Sequence, residues 1–375
     1  MLSQNTNALG ILFPNNYDNT IPEMVTDRAM ASIPFGGRYR MIDFALSSMT
    51  NSGINNVSVI VRKNYHSLMD HLGAGREWDL ARRRGGLNIW PPFADKTIKL
   101  YNSRVEAIDS IMHFLDYQKE RYVVMSDTNL AVNVDYKEMM EAHQKSGADI
   151  TMLYYKTEIP AGRRRDNCTV DVDENGRVSQ LYFNDYRPGK QNLNMNIYVM
   201  ERTTLIRLIK DAASRGLINF EREVLGAQVE NLDIRALEYT GYVAQICNMK
   251  SYFDENMKLI DDNNLNALFP KGSPVYTKLR DDNPTRYLTG SKVVNSLIAD
   301  GCHIEGTVEN CVLFRGVVVE KGAVVKNCVL MQDTVVQADA NLSCVVTDKN
   351  VTVTANKSLA GTDSYPVYVA KRHTV

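Results

Sequence analysis

The sequence predicts an α/β domain followed by a parallel β-helix, and three observations predict it. Apolar runs of strand length alternate with segments of helical period over residues 1–260. A stretch rich in Asn, Asp, Pro and charge, without periodicity, occupies 261–287. After it, apolar residues recur at intervals of six. The domain limits that follow are 1–260, a linker at 261–287 and a β-helix domain at 288–375.

Each element has its own signal. Ala8 to Phe13 is a continuous apolar run, as a buried strand requires, and Met41 to Asn51 has helical spacing. Asn56 to Val61 is strand-like, Val105 to Tyr117 helical, and Tyr122 to Met125 a short buried strand. Tyr136 to Lys145 reads as a helix and Asp149 to Tyr155 as a strand. Cys168 to Val172 and Val178 to Phe183 flank Glu174-Asn175-Gly176, and Asn-Gly favours a tight hairpin turn. Met195 to Met200 and Tyr242 to Ile246 add strands, and Met249 to Ile260 is an amphipathic helix. Alternation of this kind calls for a mostly parallel sheet with helices on both faces.

The repeat runs through Val312, Val318, Val324, Leu330, Val336 and Leu342, with Ile298 and Ile304 out of phase before it. Gly316, Gly322 and Asn327 supply turns. Six-residue spacing fits one side of a triangular coil, whose apolar position is buried against the next coil. The stripe from Val312 to Leu342 is therefore expected to be core.

Composition excludes several classes. The 375 residues are 44% hydrophobic and 23% charged, as in ordinary globular proteins. Lys and Arg total 43 against 44 Asp and Glu, a net charge of −1, which argues against nucleic-acid binding. No apolar run approaches the roughly 18 residues of a membrane span, and the polar N-terminus is unlike a signal peptide. A cytoplasmic protein is expected. Its six cysteines, without a CxxC pair, read as small buried thiols.

Ile33-Pro34-Phe35-Gly36-Gly37-Arg38-Tyr39-Arg40-Met41-Ile42-Asp43-Phe44 resembles the PFGGKYRxIDF signature of the ADP-glucose pyrophosphorylases, or glucose-1-phosphate adenylyltransferases. Leu46-Ser47 and Asn51 to Ile54 continue it, and Glu77 to Leu80, Gly85-Gly86 and Pro91-Pro92 match that family's WDL…GG…PP stretch. The resemblance covers nearly the whole chain. It implies a Rossmann-like nucleotidyltransferase domain with a mixed sheet, a left-handed β-helix of hexapeptide repeats, and a tetramer under control by small anions. It also implies a reaction joining ATP and glucose 1-phosphate, with magnesium on two carboxylates.

At the positions that carry this chemistry the resemblance fails. The family's glycine-rich phosphate loop falls on Asn15-Asn16-Tyr17-Asp18-Asn19-Thr20-Ile21, its Arg on Thr20 and the Lys of its KP pair on Met30. Asp18 and Glu23 add negative charge where a triphosphate would lie. Ungapped counting puts the first metal carboxylate on Asn129, although a two-residue slip would reach Asp127. The second falls on Gln245, and the sugar-phosphate Lys on Asn184, with Lys190 nearby. A neutral amide is a poor magnesium ligand beside a carboxylate.

No catalytic residue and no metal site is therefore expected in this chain. The pattern resembles the non-catalytic, GlgD-type members of the family, found beside a catalytic subunit in some Gram-positive bacteria. The implied partner is a catalytic homologue in a hetero-oligomer, with magnesium bound by that partner, or a homo-oligomer when the chain is alone. The alternative is a weak nucleotidyltransferase that recruits Asp127 or Asp185. Arg28 and Arg40 match basic positions that, in the family, line a regulatory anion site between the two domains, Arg38 sits beside them, and guanidinium forks suit phosphate-like effectors. Arg82 to Arg84 and Arg163 to Arg165 read as solvated faces or subunit contacts, Trp78 and Trp90 as packing residues, and His303 as structural rather than as an acyltransferase base.

Overall fold

A computed structural model describes residues 6–92, 101–159 and 167–375. A nine-stranded mixed sheet organises the first domain. Its centre is β1 (Ala8–Phe13), with β2 (Asn56–Ile60) parallel on one side and β3 (Gly86–Trp90) outside that. On the other side lies parallel β4 (Tyr122–Asp127). The order of chain entry then reverses. β5 (Ile150–Glu158), the hairpin β6 (Cys168–Val172) and β7 (Val178–Phe183), and β9 (Ile234–Glu238) join through the antiparallel β8 (Lys190–Glu201).

β1 is buried on both faces. Leu9, Ile11 and Phe13 enter one core, Ala8 and Leu12 the other. Helix α1 (Met41–Asn51) packs so closely that a Cβ on Gly10 would lie 2.6 Å from the Met49 sulfur, so a larger residue there would have to displace the Met49 side chain. The helix expected over 105–117 is two, α2 (Arg104–Asp109) and α3 (Met112–Tyr117). The Ser110 hydroxyl bonds the Ala107 carbonyl at the break, a local competitor of helical pairing.

The C-terminal domain is a left-handed parallel β-helix with three five-stranded faces. Lys292 pairs with Thr307, Thr307 with Val324 and Val324 with Asn341, so one coil takes 15 residues and the next two 17 each. Most coils thus have two sides of six residues and one of five. A strict six-residue phase drifts by one position per coil, which corrects the predicted stripe. Leu330, Val336 and Leu342 point inward, but Val318 and Val324 are half-exposed and their neighbours Val319 and Val325 fill the core. Val312 is buried differently: with Phe314, Val329 and Met331 it packs outward against the first domain.

Within 261–287 the structure contains a short helix, α4 in spatial effect a strap, at Asp262–Leu268, capped by the Asp261 carboxylate. Leu268 is fully buried in the same interdomain core. All six cysteines are buried free thiols. No helix among the described residues is long and apolar enough to cross a membrane. Arg163 to Arg165 lie outside the described residues.

Candidate functional site

The parallel strands end at a crevice where the chain reverses direction, the usual ligand position in open α/β sheets. Phe13 and Asp127 end β1 and β4 side by side. The segment leaving β1 is not an open cradle. Asn15 donates to Asp18 (2.8 Å) and to the Lys63 carbonyl (3.0 Å), and accepts from the Arg62 amide (2.8 Å). Asp18 is buried and its second oxygen accepts the Met30 amide at 2.8 Å. Burial raises the Asp18 carboxyl above its ordinary value, while the Asn15 and Met30 donors oppose the rise. Backbone amides of Asp18, Thr20 and Met24 bond carbonyls of their own loop, and the Thr20 hydroxyl donates to Tyr17. Met30 itself is core. The amides and cations that would grip a triphosphate are thus used internally or missing.

The segments that carry Asn129 and Gln245 lie side by side. Leu130–Ala131 pairs with Ala244–Gln245, and the Ile246 amide donates to the Asn129 carbonyl at 3.0 Å. The Asn129 and Gln245 side chains are both buried amides, and the Gln245 oxygen accepts the Tyr155 hydroxyl at 2.9 Å. The amide nitrogens of Asn129 and Gln245 have no acceptor. Two uncharged amides, one with its oxygen engaged, do not fit magnesium. Among the described residues no group of three His, Cys, Asp or Glu could hold a metal.

Asp127, the slipped alternative, already carries a cation. Arg104 grips both of its oxygens (2.9 and 2.8 Å), and Asn16 and Asn196 donate to it at 2.7 and 3.0 Å. Arg104 also reaches Glu221 at 3.1 Å and lies over the Phe13 ring, 4.9 Å from its centroid. Burial pulls the guanidinium's pKa down, but Asp127 and Glu221 outweigh it and hold it above its ordinary value. Asp185 is likewise engaged, by Thr169 and Arg187. Asn184 stands exposed in left-handed backbone at φ 57° beside the cleft, and Lys190 lies opposite Glu158 at the far end of β8. The Arg104–Asp127–Glu221 cluster joins residues too distant in sequence for any motif to reveal it.

A second site lies between the domains. A cavity of about 310 Å³ is lined by Arg38, Arg40, Lys278, Arg280, Arg315 and Lys349, with Asp70 and His71. Burial lowers the Arg40 guanidinium to about 10. Lys349 is held well below its ordinary value by burial and by Arg40 and Arg28. Arg315 is nearly fully buried, and its Nη2 has no acceptor. Such crowded cations favour an anion. Arg28 is a correction to the expected set: it does not line this cavity. Its Nη2 donates to both oxygens of Asp348 at 2.6 Å, with both side chains buried. It clamps the domains instead. Arg38 is 40% exposed and 3.7 Å from Asp300, and Arg40 donates to the Ser67 carbonyl at 2.7 Å.

Comparison with known proteins agrees with this geometry. Residues 25–261 match the nucleotidyl transferase family and 280–366 the GlmU-like C-terminal hexapeptide family. The glycogen biosynthesis protein GlgD of Bacillus subtilis is 35% identical over 98% of this chain and 96% of its own length. That of Geobacillus stearothermophilus is 34% identical over 86% and 83%. A glucose-1-phosphate adenylyltransferase of the latter organism is 29% identical over 85% and 83%. The chain belongs to the nucleotidyl transferase family, in the branch formed by GlgD proteins.

Proposed function

We propose that this chain is a non-catalytic, regulatory subunit of glucose-1-phosphate adenylyltransferase, acting in cytoplasmic glycogen biosynthesis beside a catalytic homologue. One observation carries the reading: a guanidinium sits on Asp127 while Asn129 and Gln245 stand where metal carboxylates would be. A single lost transition-state donor costs about 2.7–4 kcal/mol, and here the metal ligands and phosphate cations are lost together. Magnesium belongs to the partner, in a hetero-oligomer that the family resemblance makes a tetramer. The interdomain cations, Arg38 and Arg40 among them, receive a small anionic effector. Such an effector alters the partner only if it binds the assembly's active and inactive states unequally.

The test holds a catalytic homologue at fixed concentration, adds this chain, and follows magnesium-dependent ADP-glucose formation. A rate that rises to saturation at a fixed ratio, with the chain alone silent, is the expected result. Turnover by the chain alone at a comparable rate would overturn the reading.

A further inference from the structure

Ile218 to Arg222 line the crevice and run into a π-helical turn at Phe220–Leu225. Wide turns of this kind are rare and cluster at functional sites. Phe220, Val224 and Leu225 anchor the turn in the core, whereas Ile218 is exposed and Gly216, leading in, adopts left-handed backbone at φ 70°. Glu223 accepts the amides of Ile218 (2.7 Å) and Asn219 (2.8 Å), and Asn219 accepts that of Arg222 (2.8 Å). These bonds shape the segment without tying it to the strand ends. Arg104 supplies that tie. From the start of α2 it holds both oxygens of Asp127, at the end of β4, and reaches Glu221 at 3.1 Å. Phe13 of β1, Tyr198 of β8 and Phe220 itself surround the guanidinium, with centroids 4.9, 5.6 and 5.9 Å away.

We propose that Arg104 is a latch: it holds the segment 216–225 against the ends of β1 and β4 and so keeps the crevice in one shape. A planar fork of donors serves two carboxylates at once, which the point charge of a lysine does not. The two carboxylates have unequal parts. Asp127 is 1% exposed and also accepts from Asn16 and Asn196, so it stays with Arg104. Glu221 is 18% exposed and returns to water when the segment moves out. Its release leaves Arg104 and Asp127 as a neutral buried pair, the kind of arrangement that a fold tolerates. The closed and open arrangements thus differ by one charge-assisted contact on the crevice wall. The latch concerns a single chain and stands apart from the subunit reading.

Hydrogen–deuterium exchange of the full chain, read by mass spectrometry, tests it on Glu221→Gln, which removes the charge and keeps the shape. Amides of 218–225 should exchange about tenfold faster, the low end for a hydrogen bond between charged groups. Those of 8–13 and 122–127, and the unfolding midpoint, should stay as in the parent chain. Arg104→Lys keeps the charge on Asp127 but loses the fork, and should give the same local acceleration. Unchanged exchange at 218–225 in Glu221→Gln, or acceleration spread equally over 8–13 and 122–127, would overturn the latch. Neither outcome bears on activation of a catalytic partner, which the ADP-glucose titration reads separately.

Discussion

Replacing Arg28 by Met removes one half of the ion pair that joins the two domains. Both oxygens of Asp348 lie 2.6 Å from the same guanidinium nitrogen, and the side chains are 5% and 2% exposed. Removing one partner of a buried pair costs about 3–5 kcal/mol, because the survivor keeps an uncompensated charge. Asp348 would still accept from the Tyr368 hydroxyl (2.7 Å) and the Lys349 amide (2.6 Å). The cost should therefore sit near the lower end, about 3 kcal/mol. Combining Arg28→Met with Asp348→Asn removes both charges and should recover most of the loss, a coupling that a double-mutant cycle isolates. Urea unfolding followed by tryptophan fluorescence reports it, since Trp78 and Trp90 both belong to the first domain. A loss below about 1 kcal/mol, the worth of a surface pair, or simple additivity of the two substitutions, would refute the reasoning.

Other outcomes follow from the same geometry. Arg104→Met should destabilise the chain by about 3–5 kcal/mol in denaturant titrations, since Asp127 and Glu221 lose their shared cation. It should not create magnesium-dependent ADP-glucose formation. Lys349 is depressed below its ordinary 10.5, so between its folded and unfolded pKa the unfolded chain binds more protons. Stability contributed by this group then rises with pH across that window, and Lys349→Met should flatten the rise in pH-dependent unfolding curves. An anion in the pocket favours the charged ammonium, so inorganic phosphate should bind with proton uptake and lose affinity as pH rises through the folded pKa. Calorimetry in buffers of different ionisation enthalpy measures this. Leu313→Ala should cost about 2–5 kcal/mol, whereas Val318→Ala, half-exposed one position from the core phase, should cost under about 1 kcal/mol by the same denaturation assay.

Local signals in the sequence carried far. The hairpin of Cys168–Val172 and Val178–Phe183 has the expected limits, because alternation and an Asn-Gly turn act on neighbouring residues; Gly176 adopts φ 79° there. Asn129 and Gln245 come from two separate motif matches, and only the sheet shows that Leu130, next to Asn129, is the strand partner of Gln245. Strand β8 extends well before Met195, because Asn192 and Asn194 look like loop residues until their side-chain partners, the Val170 carbonyl, Asn196 and Tyr198, are in place. The interdomain cavity was only partly legible. Arg38 and Arg40 belong to a motif, but Lys278, Arg280, Arg315 and Lys349 come from two further regions and each looks like an ordinary surface cation. Arg28 carried the same motif-level signal as Arg40. Only the position of Asp348, 320 residues away, decides that it is a clamp.

That separation has a consequence for biosynthesis. The core around Met30, Phe35 and Phe44 is completed by Val312, Phe314, Val329 and Met331, residues made long after them in translation. Until they emerge, the first domain has a buried-type arginine without its carboxylate and an apolar face without its cover. An emerging chain of this kind cannot finish its N-terminal half first and add the β-helix as a separate module. Its final ordering step waits for the β-helix, and a chain cut short before Val312 would leave the ribosome with the Met30–Phe44 core still unsealed.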